Sequence, residues 1–394
     1  MHRILVDERQ WLTEQQFLNA LSFCMMLPGP EAMQLATYSG WRLKGTLGGL
    51  TAGGLFVLPG AIVIAALASI YVIAGQIPFV EALFVGIKAA VLVIVFQALI
   101  RISQRALKLD SHRLIALASF VAIFFFAVPF PLIILTAAVI GFCLTGAAAS
   151  QARSEARTHS LSRTAATAGI WLALWILPLL ALIPLVGADH LLTKLALFCS
   201  QLAVVTFGGA YAVLSFIAQD VVVHYEWLTA TAMMDGLGLA ETTPGPLILV
   251  TQFVAFLAAF QHGDPPGLLM AFAGLLVSLW ATFVPCFLWI FCGAPYIERL
   301  NNNPRLAAAL AAVTAAVVGV ILNLALWFAL HVFFANVTRQ TLGVVQLWQP
   351  SLASLKLDVL GLAVVSGILL LRFSWGIPAV LGASAAGALL LSLI

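Results

Sequence analysis

The chain has 394 residues, of which 63% are hydrophobic and only 8% are charged, and its formal net charge is +3. A water-soluble domain carries roughly a quarter of charged residues, so this composition excludes a soluble globular protein. It predicts an all-α, polytopic membrane protein. The five cysteines are scattered through apolar segments without any metal-ligand spacing, so we expect no disulfide, no metal site and no cofactor.

Long apolar stretches, taken in chain order, predict the membrane-spanning helices. A helix needs about 20 apolar residues to cross the bilayer core, and six stretches satisfy this requirement: 46–75, 79–100, 166–186, 195–218, 267–292 and 306–333. Two further stretches, 112–148 and 351–393, have room for a pair of shorter helices each. The polar segment 149–165 contains three arginines and is expected to be a cytoplasmic linker.

Two homologous repeats, residues 1–148 and 166–394, are expected on either side of this linker. Two motifs of the first repeat recur in the second at an offset of 216 residues: Trp-Leu-Thr at 11–13 and 227–229, and Pro-Gly-Pro at 28–30 and 244–246. Further along, Pro59 matches Pro285 at an offset of 226. The difference of ten residues fits an insertion in the loop 262–267.

The second repeat opens with a predicted helix, 195–218, whose counterpart would lie before Met1. We therefore expect that the first repeat lacks its opening helix, or that translation starts further upstream. The distribution of basic loop residues favours inverted repeats, whereas counting helices favours parallel ones. Inversion is the expectation that the loop charges support.

The two Pro-Gly-Pro motifs, residues 28–30 and 244–246, predict a broken helix pair in each repeat. Irregular backbone at membrane depth must be buried in protein or line a cavity. Paired broken helices in the halves of a repeat are the best sequence indication of a transporter's binding site, because the new helices present free N–H groups and positive dipole ends. The alternative is a structural kink, or a loop between interfacial helices.

Several single residues are candidates for the chemistry. Lys88 lies deep in an apolar run, where an ionisable side chain is functional by default; the alternative is that it reaches the membrane interface beside Glu81. The Gly-Gly pair within residues 206–212 would serve close helix packing or face a ligand. Gln34 and Gln252 would donate hydrogen bonds to a ligand. Candidates for carrying a coupling proton are Asp235, Glu241 and Glu31, although an acid such as Glu31 in a first helical turn ordinarily complements the helix dipole.

With these residues in view, the chain resembles the chromate ion transporter family in its long, two-domain form. The resemblance rests on three stretches: LPGPEAMQLATYSGWRLKGTLGGLTAGGLFVLPG at 27–60, VGIKAA and VFQA within 85–98, and TFGG with MDGLGLAETTPGP within 206–246. One departure is Ala210, where the family's first copy usually has proline.

This resemblance implies export of chromate from the bacterial cytoplasm through the inner membrane, driven by the proton motive force, which would confer chromate resistance. It also implies that these residues matter for transport: Pro28, Gly29, Pro30, Lys88, Phe207, Gly208, Gly209, Asp235, Gly236, Thr243, Pro244, Gly245 and Pro246. If two helix N-termini and Lys88 met, their charge would about neutralise a dianion, since each terminus carries roughly half a charge.

Two other functions stay open at this point. A carrier of sulfate or another oxyanion would share every feature above. A membrane-embedded enzyme is a remote alternative, because the sequence contains no H-E-x-x-H motif or similar cluster, and we expect a transporter. The expected partners are an oxyanion and the lipid bilayer, without nucleic acid, and a homodimer is compatible with the sequence.

Overall fold

The computed structural model describes residues 1–75, 77–144, 161–207, 210–297 and 303–393. In these residues the chain is almost wholly helical, in agreement with the predicted all-α class. The helices are α1 Glu14–Met26, α2 Glu31–Ala74, α3 Pro78–Ala106, α4 Asp110–Phe126, α5 Phe130–Leu144, α6 Leu161–Leu180, α7 Leu182–Val186, α8 Leu191–Val205, α9 Ala210–Gln219, α10 Ala230–Thr242, α11 Val250–His262, α12 Leu268–Gly293, α13 Pro304–Phe333, α14 Leu357–Gly367 and α15 Ile377–Ser392. One β-hairpin, β1 Val337–Leu342 and β2 Val345–Pro350, follows α13.

Five stretches of the described residues are long and apolar enough to cross a membrane: Glu31–Ala74, Pro78–Ala106, Ser162–Val186, Leu268–Tyr296 and Pro304–Phe333. These correspond to five of the six predicted spans. The sixth predicted span, 195–218, is not one continuous helix, because α8 ends at Val205 and α9 begins at Ala210. The pairs of shorter helices expected in 112–148 and 351–393 are α4 with α5 and α14 with α15.

Helix α2 is in fact two antiparallel helices. Its helical geometry fails at Lys44 and at Gly45, whose φ is +65°. Beyond this turn the chain folds back, since a Cβ on Gly40 would lie 2.1 Å from the Gly48 carbonyl oxygen. A Cβ on Gly53 would likewise lie 2.3 Å from Thr37 Oγ1, although those residues would be about 24 Å apart in a straight helix. We call the two parts α2a (31–43) and α2b (46–74).

The backbone reproduces the predicted duplication at the offset of 216. Gln10 and Glu226 have the same unusual positive φ, 50° and 52°. The next residues make matching hydrogen bonds: Trp11 donates its N–H to Leu5 O (2.8 Å) and Trp227 donates to Val221 O (2.9 Å). At the two breaks the central glycines again agree, with φ of 117° at Gly29 and 120° at Gly245. Two segments of different sequence therefore fold alike.

The correspondence continues to the end of the chain. Helices α3 and α13 begin at Pro78 and Pro304, which keeps the offset of 226. The starts of α4 and α14 are 247 residues apart, and so are the starts of α5 and α15. The offset rises from 226 to 247 between α13 and α14, where the β-hairpin lies. The hairpin is thus an insertion in the second repeat.

The β-hairpin is a feature to which the sequence analysis assigned no strand. Its strands pair in antiparallel register, with Arg339 opposite Trp348 and Leu342 opposite Val345. The turn is closed by Gly343, whose φ is +65°, a conformation that glycine adopts without steric cost. The available signal was the glycine at position 343 between two short runs that contain β-branched and aromatic residues.

The chain forms two compact units that do not follow the repeats. Unit 1 comprises Met1–Ala65, Ala138–Val213 and Pro244–Ala311, and unit 2 comprises Ala66–Ala137, Leu214–Thr243 and Ala312–Ile394. Each unit therefore contains parts of both repeats. The repeat boundaries, the linker and the inversion stay predictions; helix α6 begins at Leu161, and most of the predicted linker 149–165 lies outside the described residues.

Packing inside unit 2 joins helices of opposite repeats. Ser384 of α15 donates its hydroxyl to the carbonyl of Gly86 in α3 (2.8 Å). On the other side, a Cβ on Gly319 of α13 would lie 2.1 Å from the carbonyl oxygen of Ala116 in α4. Small residues at both crossings let the backbones approach closely, as is typical of helix packing in membranes.

Candidate functional site

The first break, Pro28–Pro30, is enclosed by unit 1. Pro28 and Gly29 are buried. The Gly29 N–H donates to the carbonyl of Thr206 at the end of α8 (2.9 Å), and the Gln34 side chain donates to the carbonyl of Pro28 (2.7 Å). The protein thus satisfies the backbone groups that the prolines free, and it brings together three predicted elements: the break, Gln34 and the segment that leads to Phe207.

The second break, Pro244–Pro246, also belongs to unit 1 but is more open, since Pro244 and Gly245 are exposed. It packs against α2b, where a Cβ on Gly60 would lie 2.2 Å from the Pro244 carbonyl oxygen. The first break makes the matching contact with α12, because a Cβ on Gly29 would lie 2.9 Å from Cys286 Sγ. Each break therefore packs beside the matched proline position of the other repeat.

Two glutamines of unit 1 differ in their hydrogen bonding. Gln34 donates one amide hydrogen to Pro28, and its Oε1 has no partner among the described residues. Gln252 on α11 is fully buried, and neither its Oε1 nor its Nε2 has a partner there. A buried amide without hydrogen bonds is costly, so Gln252 is the stronger candidate for contact with a ligand.

In unit 2 the structure pairs Lys88 with Asp235. The Lys88 ammonium of α3 lies 3.2 Å from Asp235 Oδ1 of α10, and the two side chains are 14% and 5% exposed. Tyr71, near the end of α2b, donates its hydroxyl to Asp235 Oδ2 (2.9 Å). We call these three residues the charged cluster. This pairing favours a buried Lys88 over the alternative in which Lys88 reaches the membrane interface beside Glu81.

A glycine allows the charged cluster to form. Gly238 lies one turn beyond Asp235 on α10, and a Cβ there would lie 2.2 Å from Cγ2 of Ile87 in α3. The two helices can therefore approach closely enough for Lys88 to reach the carboxylate. Sequence reasoning selected Lys88 and Asp235 separately but missed Tyr71, because its partner is 164 positions away and no local pattern marks the pair.

The charged cluster is not duplicated in the repeats. Thr314 occupies the position that matches Lys88, and Asn19 occupies the position that matches Asp235. A buried ion pair is a weak source of stability, because desolvating both charges offsets their attraction. An ion pair kept in only one of two homologous sites is therefore better explained by function than by folding.

Three of the remaining candidates lie at helix ends. Thr243 donates its hydroxyl to the Leu239 carbonyl in the last turn of α10 (2.7 Å), and Glu241 lies in that same turn. Glu31 lies in the first turn of α2a, where it complements the dipole. Gly208 and Gly209 lie outside the described residues. In the described part of the chain, no three His, Cys, Asp or Glu residues form a group that would hold a metal ion.

Comparison with known proteins gives consistent matches. A family model described as "Chromate transporter" matches residues 1–142 and 193–390. The chain is 32% identical to the chromate transport protein of Pseudomonas aeruginosa over 332 residues, 82% of this chain and 73% of that protein. It is 30% identical to the probable chromate transport protein of Synechococcus elongatus, over 82% of this chain and 76% of the relative.

A third relative, the chromate transport protein of Cupriavidus metallidurans, is 28% identical over 82% of this chain and 74% of its own length. No solved structure matches the chain.

Proposed function

The chain belongs to the chromate transporter family, as its motifs predicted, and we propose that it exports chromate from the bacterial cytoplasm across the inner membrane. The named relatives are transport proteins, which supports a transporter rather than an enzyme. The proton motive force is proposed as the energy source.

The charged cluster of unit 2 is the observation that carries this proposal. While Asp235 is ionised, it neutralises the Lys88 ammonium 3.2 Å away. When Asp235 takes up a proton, Lys88 loses its counter-charge and becomes available to a chromate dianion. Proton binding and anion binding then favour each other, because a coupling free energy between two sites is reciprocal. Tyr71 holds the carboxylate in place during this exchange.

The membrane potential favours export. With a negative cytoplasm, moving one charge across 100 mV is worth about 2.3 kcal/mol, so an outgoing dianion gains about twice that amount. A proton that leaves together with the anion lowers the net charge moved to one, and the membrane potential still favours this export by about 2.3 kcal/mol per 100 mV. Uptake would need at least two accompanying cations merely to cancel the field.

The breaks of unit 1 are proposed to contribute uncharged groups to the same transport cycle. Gln252 supports this role through its buried amide, for which the described residues supply no partner. The backbone at Pro28–Pro30 and at Pro244–Pro246 would supply N–H groups and helix starts. Phe207, Gly208, Gly209 and Thr243 stay candidates of this kind, and Glu31 and Glu241 stay candidates for carrying the proton.

The test is uptake of radiolabelled chromate into inside-out membrane vesicles energised by respiration. We expect accumulation that a protonophore abolishes. Lys88→Met should lower the accumulation at least about tenfold, since removing one charge-assisted partner costs 1.5–3 kcal/mol. Asp235→Asn should keep chromate accumulation but remove its dependence on pH, because Lys88 is then permanently free of its carboxylate.

The matched control is Lys108→Met, which removes an exposed lysine of unit 2 and should leave accumulation unchanged. Normal accumulation by the Lys88→Met protein would remove Lys88 from the site. Accumulation that persists with the protonophore would contradict the proposed energy source. Excess unlabelled sulfate that abolishes the signal would identify a carrier of oxyanions in general.

A further inference from the structure

A recess in unit 2 is enclosed by the β-hairpin and three helical segments. It contains about 440 Å³ of free space, part of it open to solvent, between the hairpin, α4, α9 and α13. Arg339, Gln346 and Trp348 line it from the hairpin. Because Arg339 pairs with Trp348 and Gln346 with Thr341 across the strands, these residues share one face of the hairpin. We call this space the hairpin recess.

Polar side chains from two helices form the inner wall. Asn323 of α13 donates its amide to the hydroxyl of Ser215 on α9 (3.3 Å), a bond that does not use the serine hydrogen. One turn further along α9, Gln219 has a buried Oε1 without a partner among the described residues. Its amide can therefore turn to present its N–H groups to a ligand, since the two ends of the side chain are nearly equivalent in shape.

Arg339 is the charged residue among those that line the hairpin recess, and no acid lines it in the described part of the chain. Its guanidinium lies over the Trp348 ring, 5.9 Å from the centroid. This cation–π contact restrains the guanidinium beside the recess. Trp348 is held in turn by His331, whose ring centroid is 5.5 Å away. Trp348 and His331 thus position the positive charge of Arg339 at the recess.

We propose that the hairpin recess is a second binding position for a tetrahedral oxyanion, separate from the charged cluster. Arg339 binds two oxygens through its fork of N–H groups, the geometry that suits such anions. Ser215, Asn323 and Gln219 donate to the remaining oxygens. The choice of a chromate-like anion rests on the proposed function, whereas binding at the recess is measurable without transport.

The experiment is calorimetric titration of the purified full chain with chromate, in a neutral detergent without phospholipid. A Lys88→Met background removes the ammonium of the charged cluster. We expect this variant still to bind chromate, and adding Arg339→Gln should weaken that binding at least about tenfold, because a charge-assisted hydrogen-bonding partner is lost. Adding Asn323→Leu, which keeps the side-chain volume, should weaken binding to a smaller extent. Sulfate should compete, whereas chloride at equal ionic strength should not.

The control is Arg372→Gln, which removes another exposed arginine of unit 2 and should leave the affinity unchanged. The inference is overturned if the Lys88→Met protein binds no chromate, if Arg339→Gln leaves its affinity intact, or if chloride competes as well as sulfate. If the unsubstituted chain does not transport chromate but binds it in a way that depends on Arg339, the proposed function alone is contradicted. Normal transport without Arg339-dependent binding would contradict the recess alone.

Discussion

Gln34 and Gln252 illustrate how one residue type serves different purposes at the scale of a side chain. The Gln34 amide donates to the carbonyl of Pro28, a group that the prolines of the break leave without a helical partner. Gln252 is buried without any such partner among the described residues. The first side chain stabilises the fold, and the second costs free energy that a transport role would explain.

Replacing each glutamine by leucine separates these roles. Gln34→Leu leaves a buried carbonyl unpaired, so it should lower the free energy of unfolding by about 1–3 kcal/mol. Gln252→Leu removes an unpaired amide at similar volume, so it should leave stability unchanged or raise it while chromate transport falls. Thermal unfolding in detergent and vesicle uptake measure the two effects. A lower melting temperature for Gln252→Leu would show that the amide has a partner.

The exchange of contacts between repeats is the main feature at the scale of elements. The second break rests on α2b of the first repeat at Gly60, and the first break rests on α12 of the second repeat at Cys286. A backbone break is held in place here by a helix that is distant in sequence. The geometry of each break therefore depends on the opposite repeat.

Two alanine substitutions in α2b test this dependence. A Cβ at Gly60 would lie 2.2 Å from the Pro244 carbonyl, whereas a Cβ at Gly54 would meet nothing within 4 Å. Gly60→Ala should lower stability by about 1–3 kcal/mol through overpacking. Gly54→Ala should raise it by up to about 1 kcal/mol, because alanine favours a helix. Thermal unfolding of the two purified variants checks the sign of each change, and equal effects would contradict the close contact.

At the scale of the whole molecule, each compact unit draws its helices from both repeats. In unit 2 the first-repeat helix α3 packs on α15 of the second repeat, while α13 packs on α4. Neither repeat therefore contains all the surfaces that its own helices bury. The boundaries of the two compact units therefore do not coincide with the boundaries of the two repeats.

Cutting the chain in the linker tests this organisation. Residues 1–150 and 151–394, produced as two chains in one cell, should associate in the membrane and restore chromate transport. Either fragment alone should be degraded, because its interfaces lie uncovered. Affinity purification through a tag on one fragment measures the association. Recovery of a stable, unassociated first fragment would contradict the shared packing.

Much of the architecture follows from the sequence because its causes are local. Bilayer thickness and hydropathy locate the spans, and proline chemistry locates both breaks. The motif offsets identified the duplication as far as Pro285, and the structure extends it to α15. The insertion of a β-hairpin was missed, since one short strand pair gives a weak signal in a chain dominated by apolar helices.

The sequence by itself determined a membrane protein with duplicated, broken helices, its family and the separate candidates Lys88 and Asp235. Only the tertiary structure decided that these two residues form an ion pair, that Tyr71 joins them and that Arg339 and Asn323 line one recess. The physical reason is distance along the chain. Helix periodicity and capping act over a few residues, whereas contacts between side chains far apart depend on how the helices pack.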